Sequence, residues 1–234
     1  MTLTEKYVII VAGGKGLRMG GDLPKQFISL DGWPILMRTI YAFFSNDEKS
    51  NIIVVLPEIM IPFWNDLVQK HKFSVPHKVV SGGETRFHSV KNGLSLVPDS
   101  PNACVAVHDG VRPFVSGDVI AEAFAEAAKS GSAVPVIESV DSVRQITGKG
   151  NKSVDRSSLR LVQTPQVFSA KILHEAYRQP YSDFFTDDAS VAEAIGQRIS
   201  LTKGNRENIK ITTPFDIEIA KVLTNSGNWN IDVK

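Results

Sequence analysis

Short runs that are apolar at almost every position alternate along this chain with longer stretches whose apolar residues recur every three or four. Tyr7–Ala12 ("YVIIVA"), Asn51–Pro57 ("NIIVVLP"), Lys78–Gly83 ("KVVSGG"), Cys104–Asp109 ("CVAVHD") and Ser132–Ile137 ("SAVPVI") are the short runs. Their β-branched residues do not alternate with polar ones, which is how a strand covered on both faces reads. Between them, "GWPILMRTIYAFF" predicts a helix with Pro34 near its first turn. "SGDVIAEAFAEAAKSG" predicts another, opened by Ser116 as N-cap and stopped at Gly131, with Val119, Ala123 and Ala127 on one face and Ile120 and Phe124 beside them. Late in the chain, "TPFDIEIAKVL" puts Thr213 at the N-cap, Pro214 at the first helical position and Asp216 in the first turn. Strand–helix alternation of this kind predicts a three-layer α/β fold on a mainly parallel sheet.

Residues 138–160 break the rhythm. "ESVDSVRQITGKGNKSVDRSSLR" is polar, with two strand-like pieces around "TGKGNKS". It reads as a β-hairpin projecting from a single domain that takes in residues 1–234. Exposed hairpin edges need covering, and a partner subunit is one way to cover them.

Composition narrows the classes. At 234 residues and 42% hydrophobic, one generous α/β domain can bury a sizeable core. A net charge of +1, with acids and bases interspersed, gives no basic footprint for nucleic acid. The apolar runs are too short to span a bilayer, and "MTLTEKYVIIVAGG" lacks the basic start of a signal peptide, so a cytoplasmic protein is expected. The single cysteine, Cys104, sits in an apolar run and reads as a small core residue.

The chemistry starts in "VAGGKGLRMGGDLPKQF", Val11 to Phe27. In an open α/β sheet, ligands bind beyond the carboxyl ends of the strands, and this loop follows the first one. Glycines at 13, 14 and 16 let backbone N–H groups approach an anion. A Walker loop is excluded, because no Gly-Lys-Ser/Thr closes the motif; a dinucleotide fingerprint is excluded, because Met19 stands three residues after Gly16. Two cations, Arg18 and Lys25, follow in the same loop. "SGGETRFHSVKNGL" comes after a strand, its Gly82 and Gly83 permit a tight turn, and Arg86 and Ser89 lie one helical turn apart. "VHDGVRPF" puts Asp109 and Arg112 at a strand's carboxyl end.

"AGGKGLRM…PKQF" resembles the signature of nucleotidyltransferases that activate small molecules with a nucleoside triphosphate. With "SGGETRFHSVKNGL", "VHDGVRPF", "QTPQVF", "TDDASVAE" and "NIKITTPFD", the chain resembles the 2-C-methyl-D-erythritol 4-phosphate cytidylyltransferase family of the non-mevalonate isoprenoid pathway, from Val8 to about Leu223. The resemblance implies a Rossmann-like nucleotidyltransferase fold whose β-hairpin is a dimerisation arm exchanged between two subunits. It implies attack of the acceptor's phosphate on the α-phosphorus of CTP, with pyrophosphate released and Mg²⁺ held mainly by the triphosphate. It assigns Arg18 and Lys25 to the transition-state charge, and Arg156 and Lys210 to the acceptor's phosphate. It puts Thr186, Asp109, Arg112 and Ser142 on the polyol phosphate, and Ala12, Gly13, Gly14, Gly82 and Ser89 on cytidine or its phosphates, with Arg86 among these substrate contacts. No general base is needed, since a phosphate monoester is already a nucleophile. His71, His77, His88 and His174 read as surface or core residues, and His108 as one that orients the loop after it.

Two segments depart from the family's usual wording. "AGG" stands for Ala-Ala-Gly, and "HDGVRP" for His-Asp-Ala-Ala-Arg-Pro. "HDGVRP" and "NIKITTPFD" are nearer to ribitol-5-phosphate cytidylyltransferases, a sister family, whereas "TDDAS" and "VDR" resemble the methylerythritol version, which is the expected one. A non-catalytic sugar-phosphate sensor on the same fold is the rival of another class.

Overall fold

The computed structural model describes residues 5–14, 23–226, 229 and 231. In chain order the elements are β1 (Glu5–Val11), β2 (Ser29–Leu30), β3 (Trp33–Pro34), α1 (Ile35–Asn46), β4 (Asn51–Leu56), α2 (Ile61–Lys70), β5 (Lys78–Ser81), α3 (Arg86–Leu94), β6 (Ala103–Asp109), α4 (Gly117–Ser130) and β7 (Ser132–Glu138). There follow β8 (Val143–Thr147), β9 (Gly150–Val154), β10 (Arg160–Val162), β11 (Gln166–Ser169), α5 (Ala170–Ala176), α6 (Asp188–Glu193), β12 (Leu201–Lys203) and α7 (Pro214–Asn225). All five expected strands are present, with ends that differ by one or two residues.

The main sheet runs β10-β7-β11-β6-β1-β4-β5, with β12 on the other side of β7. β5, β4, β1 and β6 are parallel, as are β7 and β12. Mainly parallel is therefore correct, but β11 runs antiparallel between β6 and β7, and β10 antiparallel to β7.

Successive residues of the central strands enter different cores, because side chains alternate across a sheet. Val8, Ile10, Ile52, Val54, Cys104 and Ala106 pack with α1, α2 and α4 through Met37, Phe43, Trp64, Ile120 and Phe124. Ile9, Ile53, Val55, Val105 and Val107 pack on the opposite face with Phe87, Val90, Leu173 and Ala192 of α3, α5 and α6. A third cluster, with Ile35, Phe114, Ile211 and Ala220, seats α7 against the loop after β6. Cys104 is buried as expected.

The helix ends follow the sequence signals. The Ser116 side chain accepts from the Val119 N–H, and Gly131 closes α4 at φ +88°. Thr213 and Asp216 form a capping box around Pro214. Pro34 is the N-cap of α1, beside its first turn as expected.

The polar stretch forms a separate two-stranded ribbon, β8 with β9. Its turn is tighter than the sequence suggests: Thr147 pairs with Gly150, so Gly148–Lys149 alone connect the strands. Gly150, at φ +134°, supplies a conformation that a side chain disfavours. Nearly every side chain of the ribbon is exposed.

Candidate active site

Three parallel strands, β1, β5 and β6, end at one side of the sheet, and the loops that leave them surround a cleft of about 360 Å³. Ala12, Gly13, Gly14, Lys25, Arg86, Ser89, Asp109 and Lys210 all line it. Residues expected from four distant motifs are thus brought together. Arg18 lies outside the described residues.

The glycine loop is shaped by close approach. A Cβ on Gly82 would lie 3.0 Å from Ser89 Oγ, and one on Gly83 only 2.4 Å from His88 Cβ. The Gly83 N–H donates to Ser89 Oγ at 3.1 Å, and the same hydroxyl lies 3.8 Å from where a Gly13 Cβ would be. Across the cleft, buried Gln26 donates from Nε2 to the Ala12 carbonyl at 2.9 Å. That bond ties the two ends of the glycine loop together and brings Lys25, on the same 3-10 turn, beside Gly14.

The opposite wall is ionic. Asp109 Oδ2 accepts from Arg112 Nε at 3.0 Å and pairs with Lys210 Nζ at 3.1 Å, while Arg86 Nε stands 3.9 Å from Oδ1. Burial alone would raise the Asp109 carboxyl; Lys210, Arg86 and Arg112 outweigh it and hold the group far below the usual carboxylate range. Arg112 also donates from Nη1 to the Asn208 carbonyl at 2.7 Å. Lys210 remains the most open of these groups, its side chain 44% exposed against 10% for Asp109.

Behind this wall, His108 is fully buried. Burial pushes its imidazole down to about 4, so it is neutral. The Asp109 N–H donates to Thr164 Oγ1 at 3.1 Å, and that hydroxyl contacts His108 Nδ1 at 3.0 Å. With Thr164 donating to Nδ1, the ring proton is on Nε2, where it meets the Arg112 carbonyl at 3.0 Å. His108 thereby holds the loop that carries Asp109 and Arg112, as the sequence suggested.

Arg86 is directed away from the cleft's centre. Its Nη1 and Nη2 make a forked pair with Asp188 at 3.0 and 2.6 Å, and the Tyr177 hydroxyl donates to Asp188 Oδ1 at 2.7 Å. Burial lowers the guanidinium's pKa but pairing with Asp188 more than reverses this, so Arg86 stays charged throughout. Gln26, Asp188, Tyr177, Thr164 and Asn208 were absent from the sequence-derived candidates. All but Tyr177 lie in motifs already singled out, but a motif does not say which member turns inward.

Five expected residues do not line this cleft: Gly82 and Arg112 lie directly behind it, against Ser89 and Asp109, and three others stand elsewhere. Thr186 is exposed at the start of α6, where its N–H donates to Ser190 Oγ at 3.1 Å. Ser142 and Arg156 belong to the arm. Arg156 lines a second depression with Val140, Ser157, Arg160 and Arg206, and its Nη1 donates to the Val140 carbonyl.

Glycine backbone and cations gathered beyond the carboxyl ends of a doubly covered parallel sheet mark the protein as a nucleotidyltransferase. The family model of 2-C-methyl-D-erythritol 4-phosphate cytidylyltransferase (IspD) matches residues 6–226. The protein of that name from Phocaeicola vulgatus is 55% identical over 219 residues, covering 94% of this chain and 99% of its own; that from Bacteroides fragilis is 55% identical over 218 residues, covering 93% and 99%. Among solved structures, the cytidylyltransferase of that name from Thermus thermophilus superposes with a TM-score of 0.77 at 32% identity, covering 94% of this chain and 99% of that one. The 4-diphosphocytidyl-2C-methyl-D-erythritol synthase of Anaerococcus prevotii gives 0.80 at 27%, covering 95% and 96%. The chain belongs to the 2-C-methyl-D-erythritol 4-phosphate cytidylyltransferase family. The relatives favour neither a ribitol 5-phosphate acceptor nor a non-catalytic sensor.

Proposed function

We propose that this protein transfers a cytidylyl group from CTP to 2-C-methyl-D-erythritol 4-phosphate. The observation that carries the reading is the single cleft in which the Gly13–Gly14 backbone, Lys25 and Lys210 meet beside Asp109. An oxygen of the acceptor's phosphate attacks the α-phosphorus of CTP. A new phosphoanhydride P–O bond forms, the bond between the α-phosphorus and the bridging oxygen breaks, and that oxygen leaves with pyrophosphate. Charge grows on the α-phosphoryl oxygens and on the leaving group, and Lys25, with Arg18, stabilises it there. Lys210, shared with Asp109, holds the acceptor's phosphate in line for attack. Asp109 and Arg112 face the polyol, and Gly82 and Ser89 hold the loop against which the nucleotide lies.

Magnesium enters this scheme as part of the substrate. Among the described residues no group of three His, Cys, Asp or Glu side chains is placed to hold a metal ion, and Asp109 Oδ2 is already paired with Arg112 and Lys210. The ion is assigned to the triphosphate because the family resemblance implies it there, and no step is routed through a protein-bound metal.

The arm gives the reading its dimer. Arg156 is exposed and apart from the cleft of its own chain, and a ribbon of two strands is marginal alone. Exchange of arms in a homodimer covers the ribbon and brings Arg156 and Ser142 to the partner's acceptor phosphate, near Thr186. Both substrates are charged metabolites, and the enzyme is assigned to the cytoplasm. No helix among the described residues is long and apolar enough to cross a membrane. The test is pyrophosphate release from CTP against a panel of polyol phosphates. Turnover with 2-C-methyl-D-erythritol 4-phosphate well above that with ribitol 5-phosphate is expected; the opposite preference overturns the acceptor, and no release with any acceptor overturns the activity.

A further inference from the structure

One guanidinium, that of Arg86, stands between two carboxylates. Toward Asp188 it is closed, with two parallel hydrogen bonds at 3.0 and 2.6 Å. Toward Asp109 it is open, at 3.9 Å from Oδ1, beyond hydrogen-bonding range. Asp188 has no exposed surface, and its Oδ1 also accepts from Tyr177, whose ring stacks on Phe87, the next residue after Arg86, at 4.7 Å between centroids. The result bears on Asp109. Its Oδ2 is taken by Arg112 and Lys210, whereas no hydrogen bond among the described residues closes on Oδ1. An arginine fork prefers a carboxylate it can bind by two bonds, so an Arg86 released from Asp188 would close onto Asp109 Oδ1.

We propose that Asp188, steadied by Tyr177, is a positioning residue that holds Arg86 off Asp109 and so keeps Asp109 Oδ1 open to accept a hydroxyl of the polyol phosphate. The inference rests on the reading of this cleft as the acceptor's site. It explains why a buried carboxylate is spent on an arginine that lines the cleft. It also separates the two substrates: the nucleotide meets the glycine loop and Lys25, while only the acceptor meets Asp109.

The experiment compares wild type, Asp188→Asn and the double variant Asp188→Asn/Arg86→Gln in steady-state kinetics with each substrate varied. Asp188→Asn should raise KM for the polyol phosphate by roughly tenfold, the scale of one hydrogen bond to a charged group, with KM for CTP nearly unchanged. The double variant, having no guanidinium to close on Asp109, should have a lower KM for the polyol phosphate than Asp188→Asn alone. Equal effects on both substrates, or a double variant no better than the single one, overturn the proposal, because a merely structural role gives no rescue. Tyr177→Phe is the second variant should Asp188→Asn not fold. It removes one hydrogen bond from Asp188 and should move the same KM in the same direction by a smaller factor; an unchanged KM overturns the proposal. The crystal structure of the substrate-free Asp188→Asn or Tyr177→Phe protein reads the inference apart from the activity. Arg86 should lie nearer Asp109 Oδ1 than 3.9 Å, and an Arg86 left in place overturns the proposal even in a fully active enzyme.

Discussion

The cleft and the arm carry their cations in opposite ways. In the cleft, Arg112, Lys210 and Arg86 converge on one buried carboxylate, and Arg86 is pinned from behind by a second. On the arm, β8 and β9 pair only with each other, and Arg156 donates to a backbone carbonyl from an exposed position. Fixed charges in a site shielded from water act on a transition state without reorganising first. The cleft wall fixes its charges by ion pairs within one chain. On the arm no ion pair among the described residues fixes Arg156, and the proposed arm exchange is what would give it a fixed place.

The largest effect should come from the cleft. Lys25→Ala is expected to lower kcat by roughly a hundredfold or more, the scale of losing one preorganised charge stabiliser, with little change in KM for CTP. A raised KM with kcat intact would make Lys25 a binding group and weaken the contrast with Arg156. Next is the arm. Arg156→Ala and Lys25→Ala proteins, each inactive alone, should regain roughly a quarter of wild-type activity when their subunits are mixed. Half of randomly paired dimers are mixed, and each has one site free of both defects. No recovery after demonstrated exchange would return Arg156 to its own chain. Arg156→Lys should lose much of the activity although the charge remains, because a guanidinium holds phosphate by two bonds and an ammonium cannot.

How much of this was legible in the sequence follows from the same contrast. Strands that are apolar at every position announced a sheet covered on both faces, and Val8 and Ile9 do enter different cores. Ser116, Gly131, Thr213 and Pro214 marked helix ends by backbone chemistry that acts within a few residues. β10, β11 and β12 have three or four residues each, too short for a period to register. At the site, the glycines and cations were visible because spacing and charge are local signals. Asp188, Tyr177 and Thr164 became visible only through contacts that span 102, 11 and 55 residues. The tie between Gln26 and Ala12 is the intermediate case, since it joins residues of one motif across the loop's ends.

A smaller effect is expected behind the ionic wall, from His108. Its folded pKa, about 4, lies below the ordinary histidine value, so the unfolded chain takes up a proton that the folded one refuses. Stability should therefore be full above the unfolded value and fall as pH drops from about 6.5 toward 4, with a slope approaching one proton. Asp109 is depressed in the folded state as well, and its contribution is lost at lower pH, as the medium passes below the ordinary carboxylate value. Urea unfolding across pH separates the two legs. His108→Gln should flatten the upper one and leave the lower one; an unchanged upper leg would mean that another group titrates there.

The finest comparison uses one methyl group in each region. A Cβ on Gly110 would lie 2.8 Å from Ala12 Cβ and 3.2 Å from both Leu36 Cδ1 and the Val11 carbonyl oxygen, so something in the cleft's floor must move. A Cβ on Gly148, at the tip of the arm, meets nothing within 4 Å. Gly110→Ala is expected to cost about 1–3 kcal/mol in urea unfolding, the usual penalty for overpacking a filled site. It should also raise KM for CTP, because Ala12 leads directly into the Gly13–Gly14 backbone that the proposed function assigns to the nucleotide. Gly148→Ala should change stability by less than about 0.5 kcal/mol, as exposed substitutions do. Its kinetics also test the arm. If the tip stays in solvent in the dimer, kcat and both KM values remain those of wild type. If the tip packs into the partner, the methyl group falls in an interface and the dimer weakens while the folded subunit does not, which dilution during the assay would expose as a loss of activity at low enzyme concentration.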